Sequence, residues 1–196
     1  MVKLFGEFDY FTGDATDTVD VMGTQLFLDA SMAATDAVTV GGQFFYALAQ
    51  DTDGSEVQIV RLGNGFNGWD PIMDVGTSLS NEEITLGSAI GGAGNPFDFT
   101  NEGAGVVAGR LYTNFKASDA LGLGASFAYL TTEDSDVADV DAMVFAAGLK
   151  YTILKNASFQ LQAQYTDGTI NNDVNYDGRD NDFDAFEVGT GLFVSF

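Results

Sequence analysis

The densest group of metal-binding side chains in the sequence lies between Asp173 and Asp184. Oxygen-bearing residues occupy its first, third and fifth positions (Asp173, Asn175 and Asp177), Gly178 is sixth, and Asp184 is twelfth. This spacing follows the ligand order of a calcium-binding loop, in which the glycine makes the sharp turn. Asp184 stands where such loops carry Glu, and no helical pattern flanks the segment. We therefore expect either a Ca²⁺-binding loop or an acidic loop tip that holds no ion.

Other kinds of chemistry are disfavoured by the composition. The sequence has no Cys and no His, which excludes disulfides, thiolate nucleophiles and imidazole bases or ligands. It contains no Gly-x-Ser-x-Gly elbow and no phosphate-cradling glycine motif. The formal net charge of −22 opposes nucleic-acid binding, which needs a positive surface. We predict that the protein is not an enzyme, binds no nucleic acid, and has no cofactor apart from the Ca²⁺ considered above.

The elements that would position these residues are β-strands. Apolar and polar side chains alternate with a period of two, which is the pattern of strands with two different faces. No stretch approaches the roughly 18 consecutive apolar residues of a membrane-spanning helix. The alternating segments are Lys3–Phe11, Met22–Met32, Val38–Leu48, Val107–Lys116, Leu121–Tyr129, Ala142–Tyr151, Phe159–Tyr165 and Phe186–Phe196. These segments predict about eight antiparallel strands in an up-and-down arrangement.

The connections between these segments alternate in length. The short ones lie near Ala33–Asp36, Ala117–Ala120 and Leu154–Ala157, and the long acidic ones are Thr12–Asp20, Asp51–Gly103, Thr131–Asp141 and Thr166–Asp184. Long loops at one end and short turns at the other are typical of bacterial outer-membrane β-barrels. We predict one transmembrane barrel over residues 1–196, with an insertion over about 51–103. Two alternatives stay open: a soluble β-sandwich or barrel, and ten strands if Val57, Ile59 and Leu62 form another.

The strand faces without bulky apolar residues would line the lumen of such a barrel. The predicted lumen-lining residues are Glu7, Asp29, Gln43, Arg110, Asn114, Lys150, Gln162 and Glu187. In a barrel closed by eight strands these side chains must pair and fill the interior, whereas in a wider barrel they would line a water-filled channel. Most carboxylates fall in the long connections, where they would attract cations. We predict a porin-like channel that prefers cations, or a filled barrel whose acidic loops bind calcium or surface partners.

Three segments resemble parts of known outer-membrane proteins. The segment Gly6–Asp14 resembles the strand-to-loop segment of large outer-membrane porins, including the alginate-export type, and Gly68-Trp69-Asp70-Pro71 with the following strand resembles their C-terminal part. The end of the chain is similar to the aromatic-ended signal read by the outer-membrane insertion machinery, which implies roles for Leu192, Val194 and Phe196. The resemblance implies contact with outer-membrane lipid and leaves open a homo-oligomer. Strand count and loop alternation also resemble small eight-stranded barrels of the OmpA type.

The calcium interpretation predicts a protease-resistance effect. If the segment binds Ca²⁺, millimolar calcium will slow proteolysis between Asp173 and Asp184, because carboxylate ligation orders a loop that is otherwise easily cleaved. The measurement is limited proteolysis with mapped fragments, in calcium or in chelator. Equal cleavage rates in the two conditions would rule out the ion-binding loop.

Overall fold

The computed structural model describes residues 1–49, 56–58, 105–133, 139–170 and 182–195. The strands are β1 (Val2–Thr16), β2 (Val19–Ala33), β3 (Val38–Ala47), β4 (Glu56–Gln58), β5 (Val106–Lys116), β6 (Leu121–Thr131), β7 (Val140–Leu154), β8 (Ala157–Ile170) and β9 (Asp182–Val194). In these residues there is no helix of the length and hydropathy needed to cross a membrane.

The eight long strands form one sheet in sequence order, β1-β2-β3-β5-β6-β7-β8-β9. Every neighbouring pair in this order is antiparallel, while the short β4 pairs parallel with the start of β2. The all-β, up-and-down arrangement of eight strands predicted from the sequence is therefore confirmed. Strands β1 and β9 are the two ends of the order, and neither pairs with a second strand within the described ranges.

The register keeps each face of the sheet continuous across all eight strands. One row of paired residues on the outward face runs through Leu4, Ala30, Gly42, Leu111 and Phe127. Among the pairs of residues that the structure describes, register shifts occur only near the ends of two hairpins, between residues 14 and 16 and between residues 152 and 154. Because side chains alternate along a strand, an unshifted register holds the predicted faces in place.

The outward face is apolar and exposed. Leu4 is 78% exposed, Leu111 67%, Phe186 69% and Leu192 65%. Away from the long-loop ends of the strands, the charged residues occupy register positions on the opposite, inner face: Lys3, Glu7, Asp9, Asp29, Arg110, Lys116, Lys150 and Glu187. At the long-loop ends, the outward positions carry carboxylates: Asp14, Asp20, Asp141, Asp167, Asp182 and Asp184. The separation of charge from apolar surface is thus complete over the centre of the described sheet.

Two of the connections predicted to be long are shorter than expected. Strand β1 ends at Thr16 and β2 begins at Val19, so the predicted loop Thr12–Asp20 is a tight hairpin. Strand β8 likewise continues to Ile170, and β9 begins at Asp182, inside the predicted loop Thr166–Asp184. The prediction was wrong there because hydrogen bonds between the paired backbones extend a hairpin even where its side chains are polar on both faces.

The predicted short turns are confirmed, and two of them use the same side-chain device. In the β2–β3 turn, Thr35 Oγ1 accepts hydrogen bonds from the backbone N–H groups of residues 37 and 38 at 3.2 and 3.0 Å. In the β5–β6 turn, Ser118 Oγ accepts from residues 120 and 121 at 3.2 and 3.0 Å. Beside it, Lys116 Nζ lies 2.6 Å from Asp119 Oδ1, and this hydrogen-bonded pair lowers the pKa of the Asp119 carboxyl.

At the other end of the sheet, Glu133 connects the strands that flank the insertion. Tyr46 Oη donates to Glu133 Oε1 at 3.1 Å, and the backbone N–H of Ala49 donates to Oε2 at 3.0 Å. The Glu133 N–H donates to the carbonyl of Gly105 at 3.4 Å. Gly105 has a φ of 65°, and a Cβ there would collide with the backbone near Ala49, so only glycine suits this position. Glu133 therefore holds together the two points where residues 50–104 leave and rejoin the sheet.

Candidate lumen-facing site

A hydrogen-bonded network of four side chains lies on the inner face where β2, β3 and β5 run side by side. Asp29, Gln43 and Arg110 are paired across these strands, and Tyr112 is two residues further along β5. Gln43 Nε2 donates to Asp29 Oδ2 at 2.6 Å, and Arg110 Nη1 donates to Gln43 Oε1 at 3.1 Å. Tyr112 Oη donates to Asp29 Oδ1 at 3.1 Å. Both oxygens of Asp29 are therefore satisfied.

The amide of Gln43 connects the carboxylate of Asp29 to the guanidinium of Arg110. Arg110 is only 8% exposed, and its Cζ lies 5.7 Å from the centroid of the Tyr112 ring. A buried guanidinium is costly unless hydrogen bonds and an opposite charge compensate it. The amide, the aromatic ring and the carboxylate of Asp29 supply that compensation. The network presents fixed dipoles on the inner wall and contains no group arranged as a nucleophile.

A second polar pair lies nearer the long-loop end. Gln25 Nε2 donates to Asp9 Oδ2 at 2.7 Å, and Gln25 is 1% exposed. As in the first network, an amide on one strand holds a carboxylate on the next. Amide side chains are thus the partners of both inward-facing aspartates of β1 and β2.

Between these polar groups lies an apolar row that the sequence reasoning did not identify. Phe27, Phe45, Ala108, Leu130 and Ala142 are paired across β2, β3, β5, β6 and β7, and each is at most 2% exposed. The ring of Phe5 on β1 lies 6.0 Å from that of Phe27. We expected small or amide-bearing residues on this face, so that expectation was wrong for this row. The sequence does contain a sign of this row. Phe27 and Phe45 occupy odd positions in strands whose even positions carry the outward apolar residues, so alternation directs both rings inward.

On β8 three glutamines project inward in succession. Gln160, Gln162 and Gln164 are 2%, 7% and 5% exposed. Gln162 pairs with Gly148 on one side and Gly189 on the other, so its amide is flanked by residues without side chains. Because all three amides are buried, this part of the inner face is closely packed.

The remaining predicted site residues have different outcomes. Glu7, Asn114 and Lys150 are half-buried on the inner face. Glu187 pairs with Gln164 in the register, but its side chain is not among those that the structure describes. Residues 173, 175 and 177 and Phe196 lie outside the described residues. Asp184 lies in β9 opposite Asp167. In the part of the chain that the structure describes, no group of three carboxylates is placed to hold a metal ion. Leu192 and Val194 are exposed on the outward face.

Comparison with known proteins gives a structural likeness. No family profile and no curated protein matches the sequence. Among solved structures, the chain is similar to an outer-membrane expressed OmpT of Vibrio cholerae, with 14% sequence identity and a TM-score of 0.46. The match covers 96% of this chain and 49% of that one, so this chain spans about half of its length.

The network predicts that removing the amide of Gln43 lowers the stability of the fold. Gln43→Met keeps the length of the side chain but removes the donor to Asp29 and the acceptor from Arg110, so the free energy of unfolding should fall by about 2–4 kcal/mol. The matched control is Gln160→Met, which removes a buried Oε1 that has no hydrogen-bond partner and should cost under about 1 kcal/mol. The measurement is equilibrium unfolding followed by circular dichroism. Equal destabilisation by the two substitutions would contradict the network.

Proposed function

We propose that this chain crosses a bacterial outer membrane as the wall of a β-barrel and forms a porin-like passage for small solutes. The observation that supports this most directly is the distribution of charge between the two faces. Over the central part of the strands, the outward face carries exposed Phe, Leu, Val and Met side chains, while the charged residues occupy the inner face. A soluble sheet would normally show the reverse, with its apolar face buried and its charged face in water.

The dimensions of the apolar surface support a bilayer as its environment. Outward apolar runs such as Leu121–Tyr129 match the roughly 9–11 residues that a tilted strand needs to cross hydrocarbon. Tyr129 on β6 pairs with Met143 on β7, and Met143 pairs with Asp167 on β8. The outward row is therefore apolar on β6 and β7 but charged on β8, so the border of the apolar band changes position along the strands from one strand to the next. Strands tilted against the membrane normal produce this shift. Tyr129 and Tyr165 lie at the long-loop border of the band, where aromatic side chains meet headgroups.

The two ends of the sheet need partner strands in a bilayer. In hydrocarbon every backbone N–H and C=O group needs a partner, so the outer edges of β1 and β9 must be paired. Phe5 on the inner face of β1 is 56% exposed, while its neighbour Phe27 is 2% exposed. Strands β1 and β9 run in opposite directions, so β1 can pair antiparallel with β9 of the same chain or with β9 of a second copy. A homo-oligomer is one arrangement that completes the wall.

The membrane assignment predicts that the same substitution has a large effect at one exposed alanine and a small effect at another. Ala125 lies on the outward face of β6, and Ala117 lies in the β5–β6 turn. Ala125→Arg should lower stability in lipid by about 2–4 kcal/mol, because a charge near the bilayer midplane is desolvated. Ala117→Arg, in the aqueous turn, should change it by less than about 0.5 kcal/mol. Unfolding from lipid vesicles measures both, and a neutral Ala125→Arg would contradict the membrane assignment.

The channel itself predicts conductance with a preference for cations. The exposed carboxylates of Asp14 and Asp20 are paired at the long-loop end and should raise the local cation concentration there. We expect Asp14→Asn together with Asp20→Asn to reduce the preference, and Asp36→Asn, at the short-turn end, to reduce it less. The measurement is the reversal potential across a planar bilayer in a potassium chloride gradient at low salt, where screening is weak. A bilayer that stays silent with folded protein would end the channel proposal.

A second candidate function is a barrel with a filled lumen whose acidic loops bind calcium or surface partners. The burial of Phe45, Arg110 and Gln164 favours it, because these inner side chains are closely packed. The same conductance experiment separates the two candidates, and the proteolysis experiment tests the calcium role. In either case the exposed Leu192 and Val194, with Phe196, are proposed to serve as the signal for the insertion machinery.

A further inference from the structure

All four lysines of the chain lie toward the short-turn end of the sheet. Lys3 is at the start of β1, Lys116 ends β5, and Lys155 lies in the turn between β7 and β8. These three side chains are exposed. Lys150 is half-buried on the inner face of β7 and lines the same open groove as Lys155. Positive charge is therefore concentrated at one end of the wall, and part of it lies on the inner face.

The long-loop end carries the opposite charge. Within the described ranges, no lysine or arginine lies at that end. The turns at the opposite end carry Asp36 and Asp119. The charge of Asp119 is compensated by Lys116, whose Nζ lies 2.6 Å from Asp119 Oδ1. The fixed charge of the wall therefore changes sign between its two ends. The described carboxylates at the long-loop end include those of Asp14, Asp17, Asp20, Glu133, Asp139, Asp141, Asp167, Asp182 and Asp184.

Two zones of opposite fixed charge in series act differently on the two directions of ion flow. Cations concentrate near fixed carboxylates and anions near fixed ammonium groups. When the long-loop side is positive, cations enter through the acidic end and anions enter through the basic end, so both ions accumulate between the ends. With the polarity reversed, each ion must first pass the end that repels it. The passage is then depleted of both ions and conducts less.

We propose that the passage along this wall rectifies: it carries more ionic current when the long-loop side is positive than when it is negative. This inference rests on the porin-like passage proposed above and concerns the direction in which that passage conducts. The acidic end alone gives a preference for cations, whereas the change of sign between the two ends gives the rectification. Lys150 and Lys155 form the basic end of the passage, because Lys150 lies on the inner face and Lys155 lies beside it at the turn.

Single-channel current–voltage curves of the whole chain in a planar bilayer test the proposal. In about 0.1 M potassium chloride, where the Debye length is about 10 Å, the current at a given voltage should be about twofold larger with the long-loop side positive. In about 1 M salt, where the Debye length is about 3 Å, the two currents should become equal. A linear curve at the lower salt concentration would overturn the rectification alone. A silent bilayer would overturn the passage and this inference with it.

A single cysteine in a turn reports the direction in which each molecule inserted. The sequence has no Cys, so Ala117→Cys in the β5–β6 turn creates one site for labelling at the short-turn end. Biotin attached there binds streptavidin that is added to the side that the turns face. The larger current should flow when that side is negative, and the opposite sign would overturn the proposal.

A matched pair of double substitutions tests the role of the basic end. Lys150→Gln together with Lys155→Gln should bring the ratio of the two currents from about two towards one, because two ammonium groups are lost from that end. Lys116→Gln together with Asp119→Asn removes two opposite charges that compensate each other and should leave the ratio unchanged. Equal ratios in the two double variants would contradict the role given to Lys150 and Lys155.

Acylation of the lysine amines gives a readout that needs no substitution. The folded chain is acylated in detergent with an uncharged group, the modification is verified by mass spectrometry, and the protein is then reconstituted. Loss of the ammonium charges should make the current–voltage curve nearly linear while the channel still conducts. Undiminished rectification after complete acylation would overturn the proposal even if a variant failed to fold.

Discussion

The unbroken register of the antiparallel ladder is the constraint on which the rest of the structure depends. Side chains alternate between two faces along each strand, and paired residues on neighbouring strands share a face. A shift of one residue in any central pairing would move Arg110 or Lys150 to the apolar surface and bring Phe or Leu inward. The observed shifts are confined to the Asp14–Thr16 and Thr152–Leu154 hairpin ends. The charge separation is therefore a property of the ladder as a whole.

The inner face is divided into layers along the strands. Toward the long-loop end, the row containing Phe27, Phe45 and Leu130 is apolar and buried. The network around Gln43 lies one inward position further, and the amides of β8 and the ammonium of Lys150 follow toward the short turns. Around Gln25 and Gln43, polar groups hydrogen-bond one another across strands, as a low-dielectric interior requires. A solute on this wall would therefore meet different chemistry at each depth.

The sequence allowed the strands and their faces to be predicted because a period of two is a local property. The inward positions of Asp29, Gln43 and Arg110 followed from alternation alone. Their hydrogen bonds did not, because they depend on the register of three strands that are far apart in the chain. Alternation also could not distinguish an inward Phe27 in a packed row from one in an open lumen. The hairpin over residues 12–20 was missed because its polar residues resemble a loop, and the calcium ligands Asp173, Asn175 and Asp177 stay a prediction.

The contact between Gly41 and Tyr112 links three positions of the inner wall. The aromatic ring lies against Gly41, where a Cβ atom would collide with it, and its hydroxyl donates to Asp29. A homologue with a larger residue in place of Gly41 would need a smaller one in place of Tyr112, and the acid at Asp29 would then lose one of its donors. These three positions should therefore change together during evolution, and their co-variation would record the packing of the wall in sequences alone.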